Sequence, residues 1–221
     1  MSIWSWLRKP RPSAKTSKLG AGWLAPDENP WGLEVLDCTE PARTVTSATR
    51  SAEIAKKFAQ LRHFDGQELM KANLTAVVSL PCSLSYAIDK RPPDGPVFKS
   101  RIMEEKWDIY LYGEYLYFCR SWRGDLMYRA AAKCDVPALT ISRLDVLFSG
   151  TDKNIAVQEV DFLVKSHLLF AKALHPLPRG LSKDPQQLAL VSFTSYGRMG
   201  LYGTFEDTIG TAIYPFSQAG S

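Results

Sequence analysis

The sequence predicts an α+β fold, a mainly antiparallel β-sheet with a meander at its centre, packed against one long and one shorter α-helix. Three observations predict it. Residues 106–133, KWDIYLYGEYLYFCRSWRGDLMYRAAAK, divide into three strand-like runs separated by two tight reversals. Residues 154–174 keep apolar side chains at the 3.6-residue period of a helix. Strand-like runs outnumber helical ones and are joined by hairpin-length turns, whereas a parallel sheet would interleave each strand with a crossover helix.

Taken in order, the first twenty residues carry Arg8, Lys9, Arg11, Lys15 and Lys18 with no acid, behind Trp4 and Trp6. This basic segment, 1–24, reads as a flexible tail. Tryptophans beside Lys and Arg are what an interfacial membrane anchor uses, so Trp4, Trp6, Arg8 and Lys9 are candidates for membrane or partner contact. A single α+β domain is expected over 25–212, entered through Pro26–Pro30, with a loose end over 213–221. Gly32–Cys38 reads as a first strand. Ser51 is placed to N-cap a helix over Ala52–Arg62, in which Ile54, Phe58 and Leu61 share a face. Leu74–Leu80 reads as a short strand that Pro81 stops, since proline has no donor for the ladder. Asp89–Pro96, with adjacent prolines and an Asp-Gly pair, is a loop, and Val97–Met103 adds a strand before the meander.

Within the meander, Trp107–Tyr112 and Tyr115–Ser121 are rich in aromatic and branched residues suited to a pleated surface. Gly113-Glu114 supplies the positive φ of a two-residue hairpin turn. Arg123-Gly124-Asp125 turns the chain again into Leu126–Lys133, and Pro137–Phe148 continues as a fourth strand. Trp107, Ile109 and Leu111 share one face, and Asp108, Tyr110 and Tyr112 the other. Aromatic residues on both faces imply a sheet covered by helices on one side and by loops or a partner on the other. The Asn154–Leu174 helix runs about five turns by its periodicity, until His175-Pro176 stops it. Leu188–Ser195 (LALVSFTS) reads as a last strand, followed by a Gly-rich segment.

Composition excludes several classes. With 45% hydrophobic and 11% aromatic residues the chain is globular in character. Its formal net charge is +4, and the basic start accounts for it, leaving about −1 over the remainder. Such a body lacks the concentrated basic face of a nucleic-acid binder. The four cysteines, Cys38, Cys82, Cys119 and Cys134, form no CxxC pair and are read as free thiols of a cytoplasmic protein. No metal-ligand spacing and no cofactor fingerprint is found, so no metal and no cofactor are expected.

Candidate site residues fall in two groups. Arg120, Trp122, Arg123 and Asp125 cluster at the second turn of the meander, where Arg and Trp offer bidentate hydrogen bonds and stacking to a partner. Tyr110 and Tyr112 join them as partner-binding residues on the sheet. Lys165 and His167 on the long helix, with Arg198 among Gly197, Gly200 and Gly203, would line a small-molecule pocket if folding brought them to Arg120. No catalytic residue is assigned, because neither His167 nor the cysteines sit in a recognisable nucleophile context.

The pieces GLEVLDCTEP (32–41), FAQLRHFDGQEL (58–69), WDIYLYGEYLYFCRSWRGDLMYRA (107–130) and VDFLVKSHLLF (160–170) together resemble an uncharacterised family of small bacterial cytosolic proteins with an Arg-Ser-Trp-x-Gly strand-turn-strand. The resemblance covers roughly Pro30–Pro178. It implies that the meander and the long helix form one unit, and it carries no activity. The expectation is therefore a non-enzymatic protein that binds another protein, for instance an accessory or immunity-type protein of a toxin or defence system. The alternative is a small-molecule or nucleotide-related enzyme using Arg120, Lys165, His167 and Arg198.

Overall fold

The computed structural model describes residues 18–71, 75–149, 152–153 and 155–216. It shows the expected α+β class, built on a six-stranded antiparallel sheet. Its strands are β3 (Val78–Ala87), β4 (Gly95–Phe98), β5 (Trp107–Tyr112), β6 (Tyr115–Arg120), β7 (Leu126–Asp135) and β8 (Ala138–Val146), in the spatial order β3-β8-β7-β6-β5-β4. The meander therefore occupies the middle of the sheet. Register follows the side-chain alternation, with Ile109 opposite Phe118 and Phe118 opposite Tyr128. Gly113 turns β5 into β6 with φ +57°, a value that costs any other residue steric strain.

One face of this sheet holds the main core. Trp107, Ile109, Leu111, Leu116, Phe118, Tyr128, Ile141 and Leu144 pack there against Ala156, Val160 and Leu163 of α3 (Ala156–Leu163) and against Val164 just beyond it. On the opposite face Tyr110, Tyr117 and Cys119 are covered by Phe64 and Leu69, from the segment after helix α2 (Ala52–Leu61). Ser51 caps α2 as expected, its hydroxyl accepting from the Ile54 amide at 3.2 Å. The two-sided aromatic pattern thus reports real burial on both faces.

A second sheet lies beside the first, with β1 (Gly22–Leu24), β2 (Val35–Asp37), β11 (Tyr202–Thr204) and β10 (Leu174–Pro176) in that order. Here β10 and β11 run parallel and the other pairs antiparallel. Helix α4 (Pro185–Tyr196) places Leu188 and Ala189 in a smaller core with Leu36, Cys38 and Leu177. A short helix, α1 (Thr39–Thr44), joins β2 to the segment before α2, and β9 (Ala171–Lys172) pairs with β12 (Tyr214–Pro215).

Several expectations are corrected. Leu188–Ser195 is helix rather than strand: Asp184 caps it by accepting from the Gln186 amide at 3.1 Å, and Pro185 occupies the first turn. The Asp-Pro pair carried that signal, outweighed by the short apolar run. Pro81 lies inside β3, tolerated because β3 is an edge strand whose register shifts between Pro81 and Leu84. The strand placed at Val97–Met103 is Gly95–Phe98. The long helix is shorter than its periodicity suggests: α3 gives way to a wider π-type turn over Val164–Leu168, and Phe170, at φ +49°, turns the chain into β9. The Gly-rich stretch contributes β11, paired on both sides in the second sheet, and Gly22–Leu24, assigned to the tail, forms its edge. Trp4, Trp6, Arg8 and Lys9 lie outside the described residues, as do Leu74 and Asn154.

Candidate functional site

The reversal between β6 and β7 is held rigidly. Arg120 and Asp125 close it with a backbone bond of 2.9 Å, and the Gly124 amide donates to the Arg120 carbonyl at 2.8 Å. The Ser121 hydroxyl donates to the Glu105 carbonyl at 2.6 Å, and the Trp122 indole to the Met103 carbonyl at 2.7 Å. The turn is thereby fastened to the 103–106 segment that leads into β5. Arg123 projects from it with its side chain 71% exposed, paired with Asp125 at 3.1 Å.

This turn is a ridge between two open grooves, and Trp122, Arg123 and Asp125 line both. The first, of about 620 Å³, runs along α2 past Ile54, Lys56, Lys57 and Gln60. The second, of about 680 Å³, runs toward α4 past Lys106, Trp107, Phe148, Leu190 and Phe193, with Glu159 of α3 at its floor. Phe148 and Leu190 remain exposed there.

The floor of the second groove is a connected polar cluster. Glu159 accepts hydrogen bonds from the hydroxyls of Tyr128 and Tyr196. Desolvation raises its pKa, while the two hydroxyls and the Arg120 charge act in the opposite direction. Arg120 lies over the Trp107 ring at 4.8 Å from its centroid and donates to the carbonyls of Ser195 at 2.7 Å and Thr194 at 2.8 Å. These are the last carbonyls of α4, which have no partner within the helix and favour a cation. Trp107 donates to Ser195 as well, at 2.8 Å. Arg120 is therefore the clamp between the sheet and α4.

Lys106 lies beside this clamp, 6% exposed, its ammonium 4.4 Å from the Trp122 ring centroid and 5.0 Å from that of Phe193. It donates to the Ser47 hydroxyl at 2.6 Å and the Met103 carbonyl at 2.8 Å. Burial, and then the charge of Arg120, lower its pKa to about 8, with Glu104 working against them.

The structure separates the expected residues. Arg120, Trp122, Arg123 and Asp125 are together at the ridge and grooves. Tyr110 is 1% exposed, its hydroxyl bonded to Lys99 and Asp108, so it has almost no surface to offer a partner. Tyr112 donates to the Asp65 carbonyl at 3.0 Å. Lys165 is buried against Asp161 at 2.7 Å, and both line a different cavity, of about 450 Å³, with Tyr86 and Ile209–Ile213. His167 is sealed in the core, its Nδ1 2.8 Å from the Ser166 hydroxyl and its ring edge-on to Phe98. Arg198 is exposed, and its amide donates to the Glu104 carbonyl at 3.1 Å. A pocket shared by Arg120, Lys165, His167 and Arg198 is not formed, because the π-type turn carries Lys165 and His167 into the core.

Sequence reasoning missed Lys106, Glu159, Tyr128 and Tyr196. An acid at position 159, among the buried positions Ala156, Val160 and Leu163, was the available sign. For Lys106, first residue before a strand, the sequence carries no sign at all. All four cysteines are free, and burial pushes the thiols of Cys38 and Cys119 up to about 12, so neither is a thiolate at neutral pH. Among the described residues no cluster of His, Cys, Asp and Glu could hold a metal ion, and no helix is long and apolar enough to cross a membrane.

The fold and site define an α+β protein with a rigid, cation-bearing ridge between two grooves. Comparison with protein families, with curated proteins and with solved structures finds no match.

Proposed function

We propose that this is a non-enzymatic binding protein that grips an acidic, partly apolar segment of another protein across the 121–125 ridge. The observation that carries the reading is the sharing of Trp122, Arg123 and Asp125 by two open grooves, which lets one occupant contact both grooves across the turn. Trp and Arg in such positions are the residue types that dominate binding energy. Lys56, Lys57, Lys106, Arg120 and Arg123 outnumber Glu53, Asp125 and Glu159 along the grooves, on a body that is otherwise near neutral, which favours an acidic occupant. Phe148 and Leu190 supply its apolar contacts. Within the bacterial setting that the meander's resemblance implies, an accessory or immunity-type protein works through a surface of this kind.

The test compares full-length wild type with Arg123→Glu, Leu190→Glu and Lys133→Glu in capture from the native host, followed by affinity measurement on the captured protein. Arg123 and Leu190 lie on the ridge and groove, whereas Lys133 is exposed elsewhere on β7. A partner bound at least about tenfold more weakly by the first two variants, and unchanged by the third, supports the reading; tenfold corresponds to about 1.4 kcal/mol. A partner retained equally by all three, or none retained by wild type, overturns it.

A further inference from the structure

The groove holds a buried amine that the binding reading uses only as a charge. Lys106 makes no ion pair among the described residues, although it is buried and lines the groove. Its two hydrogen-bond acceptors, the Ser47 hydroxyl and the Met103 carbonyl, are neutral. A neutral amine still satisfies both, because –NH₂ retains two hydrogens and directs its lone pair to the remaining tetrahedral position. The charged groups around it are Arg120 from β6, Glu104 from its own segment, and Arg123, Asp125 and Glu159 along the same groove. Glu104 already accepts from the Ser47 amide at 2.9 Å, and Glu159 from two tyrosines. The rings of Trp122 and Phe193 wall the amine at 4.4 and 5.0 Å, while desolvation and the Arg120 charge disfavour its protonated form.

We propose that Lys106 is a covalent capture site, whose amine forms a reversible imine with a small aldehyde seated by its apolar body against Trp122, Phe193 and Leu190. The lone pair of Nζ adds to the carbonyl carbon, and the C=O electron pair moves to oxygen. A proton passes from nitrogen to that oxygen, giving a carbinolamine. Solvent protonates the hydroxyl, the C–O bond breaks with its electron pair leaving on that oxygen as water, and the nitrogen returns its second hydrogen to solvent as a proton while the C=N bond forms. One amine and one aldehyde yield one imine and one water, with no oxidant or reductant. An amine of pKa about 8 is about one-tenth neutral at pH 7, against about one part in 2,500 for an ordinary lysine at 10.4, an excess of about 200-fold.

The experiment needs no partner, so it stands or falls apart from the binding reading. Purified full-length protein is incubated with benzaldehyde and cyanoborohydride from pH 6.5 to 9.5, and each lysine is followed by peptide mapping. Lys106 is expected to be reduced to the benzylamine at least tenfold faster than Lys133 at pH 7, its amine fraction half-maximal near pH 8. Lys106→Arg removes that label alone, and Leu190→Trp, which narrows the groove, slows labelling of Lys106 and not of Lys133. Labelling of Lys106 no faster than Lys133, or only in urea, overturns the proposal.

Discussion

Acidification should destabilise this protein through two histidines. His167 and His175 are both 0% exposed, and neither Nε2 has a hydrogen-bond partner. His175 lies 4.7 Å from the Tyr196 ring and 5.5 Å from Phe162, and His167 packs edge-on against Phe98 and Phe162. Burial lowers their pKa values to about 3 and about 4 respectively, from 6.5. Because the folded values are depressed, the unfolded chain binds more protons below pH 6.5. The stability that neutral histidines contribute is then complete above 6.5 and lost as pH falls toward the folded values. Between pH 7.5 and 5.0 each histidine loses about 2 kcal/mol, or about 4 kcal/mol for the pair, a large fraction of a typical 5–15 kcal/mol. In urea, with a slope of about 3 kcal/mol/M, the midpoint falls by about 1.3 M. Glu159 and Asp161, with pKa values raised by desolvation, pull the other way over the same range. The readout is therefore the difference in pH slope between wild type and a His167→Phe/His175→Phe double variant, which separates titration from packing cost. Wild type should lose about 4 kcal/mol more than the variant over this interval, followed by circular dichroism. Equal slopes would refute the reasoning, since they would mean that the core accepts protonated histidine without penalty.

Three further outcomes are expected. Gly197→Ala places a methyl 1.7 Å from the Glu104 carbonyl oxygen at φ +60°, where backbone must move, and should cost about 3–5 kcal/mol, read as a fall in Tm. Arg120→Ala should cost about 3–5 kcal/mol in urea denaturation, because it removes the guanidinium donors to the carbonyls of Thr194 and Ser195, leaving Ser195 to Trp107, and takes the compensating charge from Glu159. Loss of binding in that variant reports the loosened α4, which is why exposed Arg123 is the cleaner probe of the ridge. Asp184→Ala removes the cap of α4 and should cost about 1 kcal/mol, measured the same way.

Most of the large sheet was legible because its determinants are local. Alternation in β5, β6, β7 and β8 sets their faces, and Gly113 and Gly124 mark the reversals. Helix α2 was legible for the same reason, through Ser51 and its apolar face. Where two local signals competed, the reading failed: the apolar run 188–195 suggested a strand, while Asp184-Pro185 determined a helix. The site was half legible. The turn residues Arg120–Asp125 stood out by type, but their roles did not. Arg120 and Trp122 prove to be fasteners, each spending its donors on backbone carbonyls, whereas Arg123 keeps its head in solvent.

By itself, then, the sequence determined the α+β class, the meander and the 121–125 turn, since these follow from side-chain periodicity and turn chemistry within a few residues. Only the tertiary structure decided that this turn is a ridge, and what surrounds it. Lys106, Glu159 and Ser195 come from a strand start and two helices far apart in the chain, and no local pattern records that they meet. The pKa values of Lys106, His167 and His175 depend on the water that such packing excludes. That exclusion is a property of the assembled core and of no single segment of it.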